Sequence, residues 1–76
     1  MRRIYTQTTR NIVHNAVVIR FENGSVQLCQ VGQRERTDDE MRTLINALVD
    51  SARRNSGPVH CARWARMQGR TVTEQV

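Results

Sequence analysis

Lysine is absent from this 76-residue chain, and all twelve of its positive residues are arginines. A GC-rich coding sequence accounts for such a bias. Its functional counterpart is selection for guanidinium, which grips a carboxylate or phosphate through two parallel hydrogen bonds where ammonium cannot. Aromatic residues are nearly as scarce, limited to Tyr5, Phe21 and Trp64. With 38% hydrophobic residues, the chain can build only a small core, and a dimer or an obligate partner would relieve that shortage. Two cysteines, Cys29 and Cys61, are too few for a disulfide framework and fit a reducing, cytosolic address. No apolar run approaches the roughly 18 residues that a membrane span needs. The first fifteen residues, MRRIYTQTTRNIVHN, lack the apolar region and small-residue cleavage site of a secretory signal. These absences lead to the expectation of a soluble, single-domain protein (1–76) in the cytoplasm of its host cell, away from membranes.

Acidic residues number seven, leaving a net charge of +5. That balance points to an acidic protein surface or a nucleic acid as partner and argues against mimicry of DNA.

What is present begins with FENGSV, residues 21–26. Asn-Gly favours a tight hairpin turn, because glycine and asparagine tolerate positive φ. A type I′ turn on Asn23-Gly24 predicts two strands within residues 12–31, with Phe21 opposite Val26, Ile19 opposite Leu28 and Val17 opposite Gln30. That register puts Phe21, Ile19 and Leu28 on one apolar face, and Arg20, Val18 and Cys29 on the other. TDDE at 37–40 is a capping box, with Thr37 as N-cap and Glu40 at the third helical position. Met41, Leu44, Ile45, Leu48, Val49 and Ala52 follow at helical spacing as one stripe, core rather than a cofactor groove, until SGP at 56–58 ends the helix. RIYTQTT at 3–9 predicts a further strand. VHCARWARMQ at 59–68 predicts a short second helix entered through Pro58 and stopped by Gly69. TVTEQV at 71–76 fits an edge strand or a frayed tail. The expected class is α+β: an antiparallel hairpin, extended to a sheet of three to four strands, packed on one long and one short α-helix.

Catalytic chemistry finds no support in this inventory. Three of the acids cap a helix, one opens a turn, and no pair has a reason to converge in a pocket. His60 and Cys61 are adjacent, and neighbours on a helix point about 100° apart. A non-enzymatic protein without a cofactor is expected. Cys29, His60, Cys61 and His14 are zinc-compatible residue types, but structural zinc sites pair ligands two to five positions apart, so ordinary thiols and surface imidazoles are expected instead. Arg63, Arg66 and Arg70 recur at helical spacing and would line one side of the short helix, with Trp64 beside them to stack on a base or an arginine. That stripe is either a solvated basic face or a contact surface.

Residues 4–31, IYTQTTRNIVHNAVVIRFENGSVQLCQV, resemble the N-terminal half of the small phage anti-CRISPR inhibitors of the type I-F class. There, too, a strand ends in an aromatic residue followed by Glu-Asn-Gly-Ser and a returning strand. The likeness covers little more than a third of the chain. It implies a non-enzymatic sheet-and-helix protein that sits on the backbone subunits of a CRISPR ribonucleoprotein surveillance complex and blocks target DNA hybridisation. It also implies a contact role for Phe21. Two features depart: the acidic residue after the returning strand is replaced around Gly32, and the upstream tyrosine is out of register at Tyr5. The bottom-up reading places Phe21 in the core instead.

The expected function is therefore occlusion of a host protein complex, with Arg20, Phe21, Arg63, Trp64, Arg66 and Arg70 as contact residues. The alternative is an arginine-driven nucleic-acid-binding or regulatory protein of a mobile element. A third reading is an assembly subunit that folds only in its complex.

Overall fold

The structure, a computed structural model, describes residues 12–75. The strand expected at 3–9 lies outside that range. The elements follow as β1 (Val13–Phe21), β2 (Val26–Gln30), α1 (Asp38–Ser56), β3 (Val59–Gln68) and β4 (Thr71–Glu74). The strands form one antiparallel sheet in the order β2-β1-β3-β4, and α1 packs on one face of it, an α+β architecture.

α1 starts and stops where its sequence dictates. The Thr37 hydroxyl accepts from the Glu40 N–H at 3.2 Å, and the Glu40 carboxylate accepts from the Thr37 N–H at 2.9 Å. Both halves of the capping box thus satisfy N–H groups that the first turn would leave orphaned. At the other end Gly57, at φ 110°, returns its N–H to the Arg53 carbonyl. The stripe is only half-buried apart from Ala52. Ile45, Leu48 and Ala52 meet Val17, Ile19 and Phe21 of the sheet, joined by Cys29, Val59, Ala62 and Trp64. Ile19 and Val17 are the largest fully buried side chains, and both belong to the central strand β1.

The hairpin forms where expected but in a different register. Arg20 faces Val26, Val18 faces Leu28 and Ala16 faces Gln30. Phe21 therefore pairs with Ser25, its N–H donating to the Ser25 carbonyl at 3.0 Å, while the Gly24 N–H donates to the Phe21 carbonyl at 3.0 Å. The loop has three residues, a type I turn followed by Gly24 at φ 89°, rather than the two-residue type I′ turn. Among the described residues no non-glycine adopts positive φ, so Asn23 avoids the conformation that type I′ demands. Its side-chain oxygen instead accepts from the Ser25 N–H at 2.8 Å and the Ser25 hydroxyl at 2.7 Å, an Asx-type bond that rewards this geometry. A one-residue slip reverses every side chain of β2. Leu28, expected in the core, lies on the face away from α1 and is 43% exposed, beside Val26 at 59%.

Residues 59–68 form strand β3, not a helix. Ten residues with Val59, Trp64 and small residues between them suit either element. Pairing along β1 from Val13–Gln68 to Arg20–Cys61 decides for the strand. Gly69, at φ 61°, turns the chain into β4, so the C-terminal segment is an edge strand over Thr71–Glu74.

Candidate binding cleft

Because β3 alternates instead of coiling, its arginines separate. The β1 register places Arg66 opposite Asn15 and Trp64 opposite Val17, on the face that carries α1; Arg63 lies opposite Val18, on the far face. Arg70 sits in the turn after β3. The single stripe of Arg63, Arg66 and Arg70 expected from helical spacing is thus divided three ways. Only Arg66 shares the α1 face with Trp64, although Arg63 also reaches the lining of the cleft described below.

On the far face Arg20 and Glu74 form a bidentate pair, one arm at 2.8 Å. It clamps edge strand β4 to central strand β1 across β3. This hydrogen bonding, with the charge behind it, holds the Glu74 carboxyl below its ordinary value, and nearby Arg63 adds to the effect; the same pairing raises Arg20. A guanidinium already engaged by its own carboxylate is poorly placed to grip another. Arg20 therefore serves the sheet. Phe21 is 6% exposed within the core cluster, which agrees with the packing argument and leaves it no surface to offer as a contact.

On the helix side, the space between the start of α1 and the sheet opens into a cleft of about 760 Å³. Asn15, Trp64, Arg66 and Gln75 line its sheet wall; Glu35, Arg36 and Met41 line the other. Trp64 is half-buried: it packs against the Val17 and Ile19 cluster while also lining the cleft. Its carbonyl accepts the Gln75 N–H at 2.7 Å, fixing the residue after β4 at the rim. Among the described residues Arg20, Arg34, Arg42 and Arg53 each make an ion pair, whereas Arg36 and Arg66 in the cleft do not, nor do Arg54, Arg63 and Arg70. Arg36 donates to the Arg34 carbonyl at 3.4 Å, and two guanidiniums without a carboxylate partner among the described residues, beside an indole, suit a carboxylate, a phosphate or a flat ring. Sequence reasoning found Trp64 and Arg66 but missed Arg36, which looks in sequence like one more charge in the loop QRER; only the tertiary fold brings it opposite β3.

Among the described residues lining the cleft, Glu35 is the one carboxylate and there is no histidine or cysteine. His60 lies 3.5 Å from Glu22, exposed at the hairpin end. Among the described residues no group of three or more His, Cys, Asp or Glu side chains could hold a metal ion, and no helix is long and apolar enough to cross a membrane. Both cysteines are free. No family model, curated protein or solved structure matches the chain.

Proposed function

We propose that this chain is a small non-enzymatic binding protein of phage type that occludes a host nucleoprotein complex through the Arg36–Trp64–Arg66 cleft. The observation that supports the reading is the pair of guanidiniums, without ion-pair partners among the described residues, flanking a half-buried indole. Arginine and tryptophan in a partly desolvated recess are the residues that dominate interface energetics. The target proposed from the resemblance over residues 4–31 is the type I-F CRISPR surveillance complex. The Phe21 contact that the resemblance implies is not part of this proposal, since Phe21 is in the core. Arg63 and Arg70 are exposed and remain secondary contacts.

The test is binding of labelled target DNA to a purified, guide-loaded type I-F complex with and without this chain. Inhibition is expected, with at least a tenfold weaker effect for Arg36→Glu combined with Arg66→Glu, a loss of about 1.4 kcal/mol or more. Full DNA binding at saturating inhibitor removes the CRISPR target. Inhibition that ignores the double substitution removes the cleft.

The same recess favours a second reading, direct binding of single-stranded nucleic acid with a base stacked on Trp64. That reading predicts an affinity falling linearly with salt on logarithmic axes, by about 0.7 per phosphate neutralised. A flat salt dependence excludes it.

A further inference from the structure

We propose that the free edge of β2 joins a second copy of this chain, in antiparallel register about a two-fold axis at Leu28, to form a continuous eight-stranded sheet. The argument begins with hydrogen-bond parity. Phe21 donates to Ser25 and Val31 donates to Asn15 across the β1–β2 ladder. With the intervening register fixed, Ser25, Gln27, Cys29 and Val31 turn their peptide groups toward β1. Val26, Leu28 and Gln30 therefore turn their N–H and C=O groups outward, at a strand that ends the sheet among the described residues.

Only some registers let two such edges satisfy each other, because an outward residue must meet an outward residue. An axis at Leu28 does this for every outward residue of β2. Leu28 faces the partner's Leu28, and Val26 faces the partner's Gln30 in both directions, each pair exchanging both N–H···O bonds. An axis at Cys29 or Gln27 also sets outward residues face to face but pairs only two of the three within β2, and an axis between residues sets outward against inward groups and forms none of these bonds. The interface is isologous and closes at two copies.

Charge selects the same edge. The chain carries +5, so two copies repel wherever arginines meet. β2, with the sequence VQLCQ, has no charged residue and no proline, the two devices that usually guard a sheet edge. The antiparallel order also brings the turn bearing Glu22 toward the chain exit bearing the partner's Arg34, so the flanking charges are opposite. Side-chain burial follows: Leu28, 43% exposed, would lie beside its counterpart on the far face, and Val26, 59% exposed, beside the aliphatic stem of the partner's Gln30. The cleft is bounded by β1, β3, the residue after β4 and the loop before α1, so pairing leaves it open. The dimer presents two clefts, and the avidity of a bivalent binder follows.

The decisive variant exploits parity. Proline at an outward position removes only a solvent-facing N–H and is tolerated on an edge strand. Sedimentation of the full chain across micromolar concentrations is expected to show a monomer–dimer equilibrium, abolished by Leu28→Pro but preserved by Leu28→Ala. A wild-type chain that stays monomeric at high micromolar concentration overturns the proposal, as does a dimer that survives Leu28→Pro. Should that variant unfold, cross-linking decides. In a Cys29→Ser, Cys61→Ser background, Leu28→Cys places two thiols on a hydrogen-bonded pair with Cα atoms about 5.5 Å apart, within the roughly 4.4–6.8 Å that a disulfide spans. Rapid oxidation to a covalent dimer is expected. Native Cys29, diagonal to its counterpart at about 7–8 Å, should not cross-link; the reverse pattern sets the register elsewhere and refutes the axis.

Discussion

Glu74 and Glu40 are the two carboxyls held below their ordinary value by identified partners, the first by hydrogen bonds from Arg20, the second by the Thr37 backbone N–H. A carboxyl whose folded pKa lies below its unfolded value, about 4.3 for Glu, stabilises the fold fully above that unfolded value. The contribution fades as pH falls through the lower folded value. Thermal melts taken downward from neutral pH should therefore show melting temperature dropping below about pH 4. Glu74→Gln should make that drop shallower; an unchanged acid limb would show that the clamp on β4 contributes nothing. Removing the cap by Thr37→Ala should cost about 0.5–2 kcal/mol, read from urea denaturation at constant slope. Gly24 occupies φ 89°, where a side chain is disfavoured, so Gly24→Ala should cost about 1–2 kcal/mol.

The hairpin and β3 show what an element reveals in advance and what it hides. Phe21→Ala should destabilise by about 3–5 kcal/mol, since Phe21 is 6% exposed. Leu28→Ala should cost less than about 1 kcal/mol in dilute solution, where the register leaves Leu28 half in solvent. Equal losses would restore the two-residue turn. The helix was legible because its cap, stripe and stop agree at separate positions: Thr37, Met41 to Ala52, and Gly57. The turn's location was legible too, but not its register. Asn-Gly serves either a two-residue or a three-residue loop, and β1 is apolar on both faces through Ala16, Val17, Val18 and Ile19. Neither choice left a polar residue stranded, so the pattern could not arbitrate. β3 misled through its arginines, whose spacing of three imitates a helix while the chain beneath alternates. In the candidate cleft, Trp64 and Arg66 were visible as residue types, but Arg36 joined them only through the crossing of the loop before α1.

At the scale of the whole molecule, one strand organises nearly everything. β1 supplies Ala16, Val17, Val18, Ile19 and Phe21 to the buried set, which among the described residues otherwise holds only Ala52 and Ala65. It pairs on one side with its immediate neighbour in sequence and on the other with a strand at the far end of the helix. Those two partnerships belong to different times. A hairpin closes in about 1–10 μs, whereas 28 residues lie between Gln30 and Val59, about 1–6 s of synthesis at 5–20 residues per second. Throughout that interval β1 has no β3 to cover its second edge, and a hairpin on its own is marginal in water. The edge from Ala16 to Phe21 is therefore the surface that a late or failed docking of β3 would leave bare, and the one a holding chaperone would recognise.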